Sequence, residues 1–143
     1  MPTGTASDPR GDRELSATSS PAMRAAALRK LCLGFSGSTE TFPFGLGVSV
    51  FKVEDKMFAL SRLDGEPLSV SVKCEPELAE QLRETYAAVI PGYHLNKRHW
   101  NTVVVDGSLT DRMIGEMIED SYDLVVAGLP RAKREALGWR RDD

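Results

Sequence analysis

Between residues 68 and 73 the side chains alternate without a break: Leu68, Val70 and Val72 are apolar, while Ser69, Ser71 and Lys73 are polar. A period of two is the mark of a half-buried β-strand, and a helix repeating every ~3.6 residues cannot satisfy it. One side of such a strand meets a core and the other meets water or a partner. Two more β-rich runs precede it. Val48–Val53 and Met57–Leu63 flank the tight turn Glu54-Asp55, and Asp64-Gly65-Glu66-Pro67 is a turn signal leading into residue 68. Short connections of this kind favour antiparallel pairing.

The remaining pattern supplies helices. Pro21 to Leu33 predicts a helix capped by Ser20 and ended by Gly34, with Leu28, Leu31, Cys32 and Phe35 near one stripe. Phe42-Pro43-Phe44-Gly45 reads as a loop pinned to a core. Pro76 opens a helix to Tyr86 with Leu78, Leu82 and Tyr86 at helical spacing. Trp100–Val105 is a fourth strand. Thr110–Ala127 is a long helix that buries Ile114, Met117, Ile118, Ser121, Tyr122 and Val125. Gly128 and Pro130 stop it, and a short basic helix starts at Arg131. The order α-β-β-β-α-β-α clusters the strands, which predicts an α+β fold: a mostly antiparallel sheet with helices packed on one face. Residues 1–20 are expected as a disordered tail, 21–138 as a single domain and 139–143 as a C-terminal tail.

Several function classes drop out early. The chain of 143 residues suits one domain. Its two cysteines, Cys32 and Cys74, are too few for a thiolate zinc site and are read as small core hydrophobes in a reducing compartment. No apolar run approaches the ~20 residues a bilayer needs, and the N-terminus lacks an apolar signal region. The expectation is a cytoplasmic monomer with no membrane partner. Net charge is −3, yet its distribution is uneven. Asp106, Asp111, Glu116, Glu119, Asp120 and Asp123 cluster around Arg112 alone, whereas Lys97 and Arg98 have no acid beside them. Arg131, Lys133, Arg134, Arg140 and Arg141 form another basic group. An acidic face and at least one basic face follow.

The most unusual segment is Gly92-Tyr93-His94-Leu95-Asn96-Lys97-Arg98-His99-Trp100-Asn101-Thr102. Lys97 and Arg98 suit phosphates, Asn96 and Asn101 suit phosphates or base edges, and Tyr93, His94 and Trp100 offer stacking faces. His99 belongs to the same cluster. Lys52, Arg62 and Lys73 extend a basic strip if they share the outer face of the sheet. Strand parity supports Lys73 and leaves Lys52 ambiguous, since it falls with Val48 and Val50. The competing structural reading makes Trp100 and Tyr93 core anchors and Lys97 and Arg98 solvated loop charges.

Catalysis finds little support. His94 and His99 have neither strand nor helix spacing for a shared metal, no Gly-x-Ser-x-Gly elbow is present, and Gly45-Leu46-Gly47 is no phosphate loop. No catalytic residue, metal or cofactor is expected.

Pro91 to Val103 resembles a hallmark segment of the MmcQ/YjbR family. The likeness extends to Phe42-Pro43-Phe44-Gly45, Val50-Phe51-Lys52-Val53, Lys56-Met57-Phe58-Ala59-Leu60, Val72-Lys73-Cys74 with Pro76-Glu77, and Ser121-Tyr122 through Leu129-Pro130. It covers roughly residues 28 to 137. The resemblance implies a compact α+β unit with a "double wing" arrangement, DNA binding by fold analogy, and no established reaction. The resulting expectation is DNA binding through phosphate contacts made by the basic and aromatic segment. The alternative is a small-ligand or anion-binding module, without catalysis, between the Phe42–Phe44 loop and the His94–Trp100 segment.

Overall fold

The computed structural model describes residues 23–92 and 95–139. The expected N-terminal tail, the Ser20 cap, Tyr93, His94, Arg140 and Arg141 lie outside the described residues. The elements are α1 (Ala25–Leu33), β1 (Ser38–Thr41), β2 (Ser49–Val53), β3 (Lys56–Ser61), β4 (Ser69–Lys73), α2 (Pro76–Thr85), β5 (Val89–Pro91), β6 (Trp100–Val104), α3 (Asp111–Ala127) and α4 (Arg131–Ala136). The strands form one sheet in the order β1-β2-β3-β4-β6-β5, and every neighbouring pair is antiparallel. This is the α+β architecture that the strand clustering predicts, with the expected elements in the expected order.

Two short strands join those expected. β1 reads Ser-Thr-Glu-Thr and β5 ends on Pro91. Both are edges of the sheet. A short strand with polar residues or proline blunts an edge against unwanted pairing, and for that reason it lacks the apolar alternation by which strands are recognised.

Pairing register separates the two sides of the sheet. Phe51, Ala59 and Val72 occupy one cross-strand row with Asn101, and Val70 pairs with Val103. These residues are buried. They meet Leu28 and Cys32 of α1 and Ile114, Ile118, Tyr122, Val125 and Val126 of α3, while Asn101 reaches the backbone of the buried Ala79 of α2. α3 buries the stripe read from its sequence, with Met117 only partly covered. Thr110 caps it, its hydroxyl accepting from Met113 N at 3.1 Å.

β3 carries one extra residue against β2. Phe51 faces Ala59 and Lys52 faces Met57, so Phe58 has no opposite number. Such a bulge turns two consecutive side chains to the same side, and Phe58 and Ala59 are both fully buried. Phe58 then meets Tyr122 edge-on at 5.3 Å, and Phe35 stacks on Tyr122 at 4.8 Å. The bulge leaves the β3–β4 ladder only two residue pairs long. α3 repairs the gap. Ser121 Oγ donates to Phe58 O at 2.6 Å and accepts from Lys73 N at 2.8 Å, joining both strands through one buried hydroxyl.

Three expectations shift. α1 begins at Ala25, not Pro21: Arg24 is extended, with φ −87° and ψ 158°, and no side chain caps the helix. In α2 the buried position is Ala79, while Leu78 is 41% exposed. A small residue lets α2 approach the sheet closely enough for Asn101 to reach its backbone. The turn Glu54-Asp55 is as tight as its sequence suggests, with φ of +49° and +64°, the left-handed pair a two-residue hairpin needs. Trp139, placed by sequence in the C-terminal tail, is partly buried against the core and its Nε1 donates to Asp123 at 2.8 Å. Both cysteines are free and buried, and burial, with Glu40 second, pushes the Cys32 thiol up to about 12.

Ser121→Ala removes both hydrogen bonds and leaves Phe58 O and Lys73 N unpaired behind α3. Stranded buried groups cost about 1–3 kcal/mol each. We expect a loss of about 2–4 kcal/mol, read as a lower urea midpoint at unchanged slope.

A second test uses acid. Partial desolvation of an otherwise exposed residue, then the Asp123 and Glu116 carboxylates, hold the Asp120 carboxyl above its usual range. The folded state therefore binds this proton more tightly than the unfolded chain. Asp120 favours folding at acid pH, and that contribution disappears as pH rises through its folded pKa. Asp120→Asn mimics the protonated form. Its Tm should exceed wild type at pH 7, with the gain vanishing below about pH 3.9, the ordinary aspartate pKa. A gain that persists unchanged into acid would refute this.

Candidate functional site

The side of the sheet away from the helices has its own rows. Thr41, Val50, Leu60, Ser71, Thr102 and Ile90 align across it. The next row holds Thr39, Lys52 and Met57, and further along Lys73 beside Trp100. Register thus resolves Lys52. It shares the outer side with Val50, whose burial makes parity alone misleading. Among the described residues, the charged side chains facing outward from the strands are Lys52 and Lys73. Arg62 follows two residues after Leu60 and is exposed. Glu40 of β1 faces the helices instead, where it pairs with Arg29 at 2.7 Å. The acids of α2 (Glu77, Glu80 and Glu84) and of α3 (Glu116, Glu119 and Asp120) are exposed on the helical layer.

A cleft of about 520 Å³ opens on this outer side. Leu60, Ser69, Ser71 and Thr102 contribute to its floor. Phe44 and Val48 come from the β1–β2 connection, Leu95 from the unusual segment, and Arg62 lies at the β3 end. The two segments that sequence places around a pocket therefore do meet there. Ser71 Oγ and Thr102 Oγ1 are 2.8 Å apart and hydrogen-bonded. Phe44 is 68% exposed and Leu46 86%, so this loop is less tightly pinned than its aromatics suggest.

The segment from Gly92 to Asn101 is held by its backbone. Gly92 N donates to Trp100 O at 2.9 Å, Cys74 N to His99 O at 2.8 Å, and His99 N to Asn96 O at 3.2 Å. A Cβ on Gly92 would stand 2.8 Å from Trp100 Cβ and 2.9 Å from its carbonyl oxygen, so the close approach of these strands requires glycine. Asn96 is exposed, and its Oδ1 accepts from Arg98 N at 2.9 Å, closing a turn. Lys97 and Arg98 project from that turn into solvent. His99 is half-buried. Trp100 is also half-buried but stands outside the core cluster, so it is an outer-face residue beside Lys73 and not a core anchor.

Asn101 departs from the expected role. It is 1% exposed and lies on the helix side. Its Nδ2 donates to Ala79 O at 3.3 Å and its Oδ1 accepts from Arg83 Nη1 at 3.2 Å. Both ends of its amide are engaged inside the fold, so it cannot meet a base. Arg83, which the sequence did not single out, also donates to Lys97 O at 2.8 Å. This guanidinium anchors the Lys97–Arg98 turn to α2. Its only sequence signal is a lone cation among the acids of that helix.

The YjbR family profile matches residues 33–124. The uncharacterized protein YjbR of Escherichia coli (strain K12) is 38% identical over 115 residues, covering 80% of this chain and 98% of that protein. The Bacillus subtilis (strain 168) uncharacterized protein YyaQ is 35% identical over 60 residues, 42% of this chain and 50% of that one. A crystal structure of Deinococcus radiodurans protein DR2400, with the domain DUF419, superposes with a TM-score of 0.77 at 39% identity over 86% of this chain and 94% of that one. A Pseudomonas syringae protein superposes at 0.63 with 28% identity over 71% and 98%. The matched stretch runs from the end of α1 into α3 and contains both the outer sheet face and the segment that walls its cleft: the chain belongs to the YjbR family.

Proposed function

We propose that the protein binds nucleic acid, DNA in the first place, on the outer face of its sheet, as a cytoplasmic monomer without a cofactor. One observation carries this reading: the strands turn lysines outward, and the exposed acids of α2 and α3 lie on the helical layer. Lys52, Lys73 and Arg62 meet phosphates, joined by Lys97 and Arg98 in the turn just before β6. Trp100 supplies a stacking face beside Lys73. Phosphate contacts carry no base code, so binding is largely sequence-independent. No helix among the described residues is long and apolar enough to cross a membrane.

The cleft supports a second reading, a small anionic ligand held between Phe44 and Leu95 with Arg62 as its charge partner. A thermal-shift screen of nucleotides, phosphates and sugars separates the two. A specific stabiliser without affinity for any polynucleotide favours the small ligand.

Anisotropy with labelled DNA at two salt concentrations tests the first reading. Affinity should fall steeply with salt, because each neutralised phosphate releases counterions. Lys52→Ala with Lys73→Ala should weaken binding to all sequences alike and flatten the slope of log K against log salt by about 2. Absence of saturable binding at low salt would reject the proposal. Glu116→Lys reverses a charge on the far layer. Among the described residues Glu116 pairs with Arg112, an exposed i,i+4 pair, so stability should stay within about 0.5 kcal/mol. DNA affinity should hold or rise slightly. Lost binding with a normal melt would place the acidic helix inside the interface.

A further inference from the structure

We infer that the cleft on the outer sheet face takes an unpaired nucleobase, so that the protein prefers single-stranded or locally opened nucleic acid to intact duplex. The inference rests on the nucleic-acid reading above and specifies its substrate.

Three features converge. The cleft is recessed between Phe44 and Val48 on one side and Leu95 on the other. A stacked base pair cannot enter such a recess, whereas an unpaired or extruded base can. Its lining suits the faces of a base: Phe44, Val48, Leu60 and Leu95 are apolar.

The cations flank the recess rather than fill it. Antiparallel β3 and β4 run in opposite directions, and Leu60 pairs with Ser71 at the floor. Arg62, two residues beyond Leu60, therefore lies toward one end, and Lys73, two residues beyond Ser71, toward the other. Four residue steps set their Cα atoms roughly 13 Å apart along the strands. A nucleotide lying along the sheet places its base in the recess and its two flanking phosphates toward opposite cations. Trp100, beside Lys73, offers the next base a second platform. Phosphates of a rigid duplex require no apolar recess between their contacts. Phe44, 68% exposed, has a ring face available for stacking.

The test compares the full chain with Phe44→Ala and Phe44→Trp on one labelled oligonucleotide, as a single strand and as its matched duplex, at fixed salt near 0.15 M. A 2-aminopurine in the strand reports stacking. Wild type should bind the single strand about tenfold tighter than the duplex and quench the probe. Phe44→Ala should cost single-strand affinity about tenfold, leave duplex affinity and Tm unchanged, and relieve the quenching. Phe44→Trp should restore both. Equal affinity for the two forms, or a Phe44→Ala variant indistinguishable from wild type on the single strand, overturns the inference while leaving nucleic-acid binding intact. Binding to neither form overturns both.

Discussion

One hydroxyl group completes the junction of β3 and β4, whose ladder is only two residue pairs long. The bulge at Phe58 interrupts hydrogen bonding between β3 and β4, and Ser121 of α3 reaches in to satisfy Phe58 O and Lys73 N at once. The bulge is useful because it delivers Phe58 into the helical layer. There the ring joins Phe35 and Tyr122, and the Tyr122 hydroxyl donates to Ser36 O at 2.6 Å, tying α3 to the residues after α1. The same irregularity sets the outer face. An extra residue on the core side brings Met57 opposite Lys52, with Thr39 in the same row. Lys73, whose backbone Ser121 holds, projects its side chain outward at the point where its amide is fixed inward.

The separation of charge follows from the separation of faces. A sheet covered by helices on one side can place cations on the bare side without desolvating them, and solvated helices can carry acids behind it. Arg83 is one of the charged groups that connect the layers, as Arg29 does through Glu40. Half-buried on α2, it bonds Lys97 O and the Asn101 amide. Hydrogen bonds from a charged donor are stronger than neutral ones, so the turn bearing Lys97 and Arg98 is anchored by a cation that faces inward.

Periodicity made legible whatever has one wet side and one dry side. The stripe along 110–127 is of this kind and appears essentially as read. The alternation at 68–73 does put Val70 and Val72 on the core side, but Ser71 on the other side is buried as well. Three features escaped. β1 and β5 are edge strands whose sequences avoid apolar alternation. Val50 is buried on the outer side, so its hydrophobicity pointed the parity argument for Lys52 the wrong way. Asn101 sits in a polar, basic segment, yet register turns it from its neighbours toward α2. Composition located the candidate segment. Only pairing register decides which of its side chains face outward, and adjacent strand residues always face opposite ways.

Net charge alone argues poorly against an anion-binding face. At physiological ionic strength the Debye length is about 8 Å. A helix with its side chains is about 10–12 Å across, so the acids on the far side of α2 and α3 lie more than one Debye length behind the sheet. A phosphate near Lys52 and Lys73 is screened from the carboxylates of α2 and α3, and the nearer acids are the exposed Glu54 and Asp55 of the β2–β3 turn. In dilute salt the Debye length reaches about 30 Å and the whole molecule contributes to the field. The acids then oppose the approach of nucleic acid at long range. Burial of the sheet's other side against the helices is what keeps Lys52 and Lys73 apart from the acids of α2 and α3.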